Sequence, residues 1–193
     1  MVPMLMRGAD GVLALHGARW GLVPHWWKQP KPPALTFNAR SEEAAAKPMW
    51  RQAYSHARCL MPAEGWYEWQ EGERVDSKTG EIQKLKQPHF IHRTDEPIFA
   101  FAGLMSWWWN AEGEHVLSCA VLTKAASQGL TDLHHRMPVV LRSNHYEDWL
   151  GPAQPADVDR MIADAQTDFV HHAVSTRVNN ARNESADLVE RMD

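Results

Sequence analysis

Read for hydrophobic periodicity, the chain breaks into many short apolar runs and seldom sustains a helical period. Val12-Leu13-Ala14-Leu15 and then Arg19–Pro24 predict short strands around a turn at His16-Gly17. Lys28-Gln29-Pro30-Lys31-Pro32-Pro33 is extended loop, because its prolines exclude both helix and central strand. Ser41-Glu42-Glu43-Ala44-Ala45-Ala46 opens a helix, with Ser41 as its cap and two carboxylates near the positive end. Pro48 breaks it and starts a second helix through Trp50, Ala53 and Tyr54. Strands are then expected at Arg58–Pro62, Trp66–Gln70, His89–His92, Ile98–Leu104, Val116–Thr123, Pro138–Leu141 and Phe169–Val174, with a polar hairpin tip at Asp76-Ser77-Lys78-Thr79-Gly80. Ser143 caps a short helix to Leu150, and Asp157–Ala165 makes another. This pattern predicts an α+β fold with a largely antiparallel sheet curled into a pseudo-barrel and a few short helices. Alternating βαβ units and a phosphate-binding glycine loop are both missing from the sequence.

Composition adds little until it is divided along the chain. The 193 residues carry a net charge of −4, with 44% hydrophobic and 23% charged residues, as in a globular protein of one domain spanning 1–193. No apolar run approaches the roughly 20 residues that span a bilayer, and Met1–Arg7 lacks the features of a signal peptide. No membrane association is therefore expected, and a cytoplasmic location is. Residues 1–60 are net +5 and residues 61–193 net −9. Trp supplies 10 of the 18 aromatic residues, and six of them fall between Trp20 and Trp69. A basic, Trp-rich first third is where a polyanion would be met.

Four groups of residues could carry chemistry. Trp26 and Trp27 follow one another, so a strand would send them to opposite faces and leave at least one for solvent or a ligand. Exposed indole near Lys28, Lys31 and Arg40 suits unpaired bases and their phosphates, although both rings could instead cap a core edge. In Phe37-Asn38-Ala39-Arg40-Ser41, the amide suits a sugar or phosphate oxygen and the guanidinium a phosphate, or they are a helix cap and a solvated cation. In Gly65-Trp66-Tyr67-Glu68-Trp69, alternation places Glu68 on the face of Trp66, with Tyr67 and Trp69 opposite. A carboxylate among indoles is costly unless it is paired or has a raised pKa, which is how a general acid is made; an edge position facing water is the rival. Finally, His134-His135-Arg136 precedes the Pro138–Leu141 strand, where an imidazole can be aimed into a cleft to move protons. Zinc is not expected from His134-His135 and His171-His172, since adjacent imidazoles seldom meet one ion and HExxH and CxxC are absent. Cys59 and Cys119 lie in apolar strands, where thiols are usually inert packing. No metal, cofactor or obligate protein partner is implied.

In order, Trp20-Gly21-Leu22-Val23-Pro24-x-Trp26-Trp27, Asn38-Ala39-Arg40, Arg58-Cys59-Leu60-x-Pro62-x-x-Gly65-Trp66-Tyr67-Glu68-Trp69, Thr123-x-Ala125-Ala126, His134-x-Arg136-Met137-Pro138-Val139-Val140-Leu141 and Val174-Ser175-x-x-Val178-Asn179 resemble the SOS response-associated peptidase (SRAP) family. The resemblance implies recognition of abasic sites in single-stranded DNA and a covalent crosslink that shields the lesion. Its nucleophile is an N-terminal cysteine, exposed when the initiator Met is removed, whose amine forms a Schiff base and whose thiol closes a thiazolidine. By motif match, Asn38 would position the sugar or amine, Glu68 would act as acid and base, and His134 would shuttle protons. Trp26, Trp27 and Trp69 would hold flanking bases or sugars, with Arg40 and Arg136 on phosphates.

Three departures qualify those expectations. The family begins Met-Cys-Gly-Arg, whereas this sequence begins Met1-Val2-Pro3-Met4. The expectation is therefore a domain lacking the family's N-terminal segment, able to bind damaged single strands but not to crosslink them. His135 replaces the family's usual Asp, and Gly72–Lys86 is longer than the family's hairpin, as in a surface insertion. Two other activities stay open: a non-catalytic single-strand-binding module, and a peptidase limited to its own initiator Met.

Overall fold

A computed structural model describes residues 1–29, 31–32, 34–75 and 80–192. The chain forms two compact units, each assembled from three segments. The first comprises Met1–Ala63, Phe99–Lys124 and Pro138–Thr167, and the second Glu64–Ile98, Ala125–Met137 and Asp168–Asp193. Among the described residues no helix is long and apolar enough to cross a membrane.

The first unit is built on a closed ring of five strands: β1 (Val2–Arg7), β2 (Leu13–Trp20), β4 (Arg58–Ala63), β7 (Phe99–Trp109) and β8 (His115–Ala125). Pairing runs β7–β4–β1–β2–β8 and closes from β8 back to β7. Four contacts are antiparallel; β2 and β8 are parallel. Closure leaves these strands no free edge, which is the advantage of curling a sheet of this size. Strand β3 (Asn38–Arg40) adds in parallel to β8, and β10 (Val140–Leu141) adds antiparallel to β7. The curled α+β sheet expected from the pattern is present, with two parallel pairings that periodicity does not reveal.

Helices α1 (Ser41–Ala44), α2 (Arg51–His56), α3 (Tyr146–Leu150) and α4 (Pro155–Ala163) complete this unit. Its core joins Leu60, Ala102, Leu104 and Leu122 of the ring to Tyr54, Trp149 and Met161 of the helices. Arg58 is buried here because backbone carbonyls surround its guanidinium. It donates to Trp149 (2.8 Å), Tyr54 (2.8 Å), Ser55 (2.9 Å) and Gly151 (2.6 Å). Gly103 is required beside Cys59, since a Cβ there would stand 2.6 Å from the thiol sulfur.

The second unit is a long hairpin, β5 (Gly65–Val75) with β6 (Ile82–His92), and β11 (Val170–Ala173) added on the far side of β6. Ile91, Leu130, Leu133 and Met137 form its core, against which Trp66 and Phe169 pack. Strand β9 (Arg136–Pro138) carries the chain from this unit back to the first. The expected insertion at Gly72–Lys86 continues the hairpin arms through pairs such as Gly72–Leu85. Most of the expected hairpin tip, residues 76–79, lies outside the described residues.

Several local expectations are corrected. No turn occurs at His16-Gly17: β2 runs through both, paired with Met4 and Pro3, and Gly17 faces the Met1 side chain. The turn is at Gly8–Val12, where Gly11 has a φ of +79° and the Val12 carbonyl accepts from Gly8 N–H. Strand β1, which the pattern did not announce, is what β2 pairs with. Gly21–Pro24 does not extend the strand, because Gly21 turns the chain at a φ of +114°. Ser41 and Ser143 are not caps. Extended Arg40 and Arg142 precede those helical turns, and neither turn has a side-chain cap. Pro48 stands in a turn, and α2 begins three residues later, at Arg51.

Candidate active site and single-strand interface

Strand β3 places two of the expected residues. Its pairing with β8 buries Ala39, so alternation turns Asn38 and Arg40 together to the exposed side. Arg40 has Glu43 at 3.9 Å, and Glu43 also pairs with Lys47, whose ammonium holds that carboxyl below its usual value. Ahead of β3, Trp26 and Trp27 occupy a turn and meet edge to face, with ring centroids 5.9 Å apart. Their roles differ. Trp27 is half-buried, donates Nε1–H to the Lys31 carbonyl (2.9 Å), and accepts at its own carbonyl from Trp108 Nε1 (2.6 Å). Trp26 is 46% exposed and is the ring available to a ligand.

In the second unit the long hairpin holds the acid. Gly65 allows its close pairing, since a Cβ there would stand 2.4 Å from both the Ile91 carbonyl and the Phe90 ring. The alternation expected from sequence then holds. Trp66 packs on Phe169 and Glu68 faces His134 on one side, while Tyr67 packs on Phe90 on the other. Trp69 is fixed at its edge, donating Nε1–H to Asn179 Oδ1 at 2.7 Å. Burial pushes the Glu68 carboxyl above its ordinary pKa, and His134 opposes that shift in part.

His134 Nδ1 stands 4.0 Å from Glu68 Oε1, too far for a hydrogen bond but near enough for one group to bridge them. The same nitrogen is 3.1 Å from the Arg136 N–H and 3.0 Å from the Arg136 carbonyl. It accepts in one tautomer and donates in the other, so the backbone orients the ring whichever nitrogen carries the proton. No carboxylate at position 135 is needed for that, and the His135 ring instead packs against His134 at 4.4 Å. Arg136 itself is half-buried.

One residue of this face escaped the sequence reading. His89 pairs with Glu68 across the hairpin, and antiparallel partners share a face. Its Nδ1 lies 3.2 Å from Nδ1 of His171 on β11, and burial, then the His171 and His172 rings, lower its pKa. The signal was available as two His-containing strand candidates, but only the hairpin register connects them to Glu68. Among the described residues, no three His, Cys, Asp or Glu side chains gather to hold a metal ion. Both cysteines are fully buried. Burial pushes the Cys119 thiol up to about 11 and holds Cys59 well above its ordinary value.

The profile of the SOS response associated peptidase (SRAP) family matches residues 1–181. The abasic site processing protein YoaM of Bacillus subtilis (strain 168) is 35% identical over 175 residues, covering 89% of this chain and 73% of that protein. The abasic site processing protein YedK of Escherichia coli (strain K12) is 34% identical over 194 residues, covering 97% and 79%. A crystal structure of a protein from Bacteroides thetaiotaomicron superposes with a TM-score of 0.77 at 25% identity, over 98% of this chain and 80% of that one.

Proposed function

Because this chain belongs to the SRAP family, we propose that it engages abasic sites in single-stranded DNA, with Glu68 and His134 moving protons at the opened sugar. The observation that carries this reading is the Glu68–His134 approach: a carboxyl with a raised pKa, 4.0 Å from an imidazole held by backbone. The names of the relatives point to the lesion, since they are called abasic site processing proteins. The family match runs through both units, which supports treating them as one SRAP-like domain.

The chemistry of the lesion suits such a pair. Opening the sugar hemiacetal takes a proton from the C1′ hydroxyl and gives one to the ring oxygen. Condensation of an amine on the resulting aldehyde expels water. Each step needs a group that accepts a proton at one moment and returns it at another, and a carboxyl tuned towards neutrality does both. Asn38 positions the sugar, Arg40 and Arg136 hold phosphates, and Trp26 and Trp69 support the flanking nucleotides, with Trp27 packed against Trp26. Cys59 and Cys119 are too buried to serve as the nucleophile; the resemblance to the family implies that the amine and thiol of an N-terminal Cys fill that role. No cofactor, metal or obligate protein partner enters the proposal.

Two oligonucleotides test it, one intact and one with a single abasic site, in fluorescence anisotropy with the 193-residue chain. Tighter binding of the abasic strand, weakening with added salt, is expected. On a denaturing gel this chain leaves no surviving adduct, whereas one carrying the family's Met-Cys-Gly-Arg leader does. Equal affinity for both strands, or an adduct formed through Cys59 or Cys119, contradicts the proposal.

A further inference from the structure

We propose that the two adjoining cavities beside Trp26 form a nucleotide site, taking a base against the indole and its phosphate against helix α2. This rests on the reading of the chain as a single-strand binder, and it specifies where a nucleotide outside the Glu68–His134 pair is held. The larger cavity, about 700 Å³, is lined by His25, Trp26, Pro48 and the α2 residues Arg51, Gln52, Ser55 and His56. The smaller, about 220 Å³, shares His25, Trp26, Pro48 and Gln52 and is floored by Leu22, Pro24, Met49, Ala53 and Met105. All of these residues belong to the first unit.

The lining sorts by chemistry. Arg51 and Ser55 are four residues apart on α2, as are Gln52 and His56, so the four side chains share one side of the helix. They offer a cation, an amide, a hydroxyl and an imidazole, and among the described residues no carboxylate lines either cavity. The floor of the smaller cavity is apolar, and Trp26 stands in both. Trp27 meets that indole edge to face, with an interplanar angle of 82°, and the Trp26 residue keeps 46% of its surface exposed. A purely apolar ligand would leave Arg51 and Gln52 unused, and a bare anion would leave the floor wet. A base carrying a phosphate uses both: stacking and apolar contact for the ring, Arg51 for the charge, and the Gln52 amide for donors and acceptors on a base edge.

The same chemistry is offered by a nucleotide within a strand and by a free mononucleotide, and an indole-nitrogen NMR titration separates the two. The chain, labelled at its Trp indoles, is titrated with an oligothymidylate and separately with dAMP. The Trp26 resonance is assigned from Trp26→Phe. For a strand-borne nucleotide, oligothymidylate shifts Trp26 and leaves Trp108, whose Nε1–H is bonded to the Trp27 carbonyl, in place. The double variant Arg51→Ala, Gln52→Ala then loses about fivefold or more in oligonucleotide affinity. Both residues are exposed, so thermal melting is expected to be unchanged and to show that the variant folds. A Trp26 shift with dAMP and not with oligothymidylate supports the site with a free nucleotide as its ligand. Oligothymidylate binding with Trp26 unmoved, or with affinity unchanged in the double variant, overturns the site and leaves single-strand binding standing. No response to either ligand overturns both.

Discussion

Glu68 Oε1 and His134 Nδ1 stand 4.0 Å apart, with the carboxyl on a long hairpin and the imidazole held by the backbone of Arg136. The gap matters as much as the approach. A direct ion pair would hold the carboxyl ionised, whereas burial without that bond raises its pKa and keeps the proton transferable.

That raised pKa predicts a pH signature in stability. The folded chain binds the Glu68 proton more tightly than the unfolded chain does. Stability from this group is therefore present below the ordinary carboxylate value and lost as pH rises through the folded value. Glu68→Gln removes the loss, so at neutral pH the variant should melt about 2 °C or more above the parent, and the gap should close on acidification. Melting curves across acid to neutral pH check this; a Gln variant that is less stable at neutral pH would contradict it.

His89 should behave in the opposite sense. Its pKa is lowered, by burial and then by the neighbouring His171 and His172, so the unfolded chain binds this proton more readily. Stability is then lost as pH falls from the ordinary His value through the folded value. His89→Gln should flatten the acid-side decline in melting temperature over that window. An unchanged decline would remove His89 as its source.

The adjacent tryptophans should separate cleanly. Trp26→Ala should weaken single-strand binding by about 1–3 kcal/mol with little change in melting, because its ring is the exposed one. Trp27→Phe deletes the bond to the Lys31 carbonyl and should cost about 0.5–1.5 kcal/mol of stability. Anisotropy and denaturant melts together decide; the reverse assignment would mean that Trp27 is the stacking ring.

Arg58→Met should be among the most damaging single changes. Four backbone carbonyls lose their donor inside the core, at an expected cost of roughly 3 kcal/mol or more. A urea melt within about 1 kcal/mol of the parent would show that the site relaxes or admits water.

The sequence made the face of Glu68 legible, because period-two alternation in Gly65-Trp66-Tyr67-Glu68-Trp69 survives into the fold unchanged. It misplaced the first hairpin for a physical reason. Pro3 and the lack of alternation in Val2–Arg7 hide β1, and Gly17 reads as a turn although it only makes room for the Met1 side chain. Ser41 and Ser143 have the composition of caps, but the residues before them leave the strand in the extended conformation and take that position themselves. The curled sheet was expected, yet the parallel pairing that orients Asn38 and Arg40 joins residues about 80 apart and leaves no local trace. His89 and the α2 cavity were hidden likewise, since a cross-strand register and a shared helix side take meaning only from what folds against them.

In the proposed chemistry Glu68 moves protons at the lesion rather than merely supporting the hairpin. Single-turnover crosslinking to an abasic single strand measures this directly, using the chain fused to the family's Met-Cys-Gly-Arg leader and the same fusion with Glu68→Gln. Crosslinking is expected to slow at least tenfold, about 1.4 kcal/mol on the barrier, with affinity for the abasic strand nearly unchanged. An equal loss of rate and affinity, or no loss of rate, would make Glu68 a support of the hairpin and not a proton carrier.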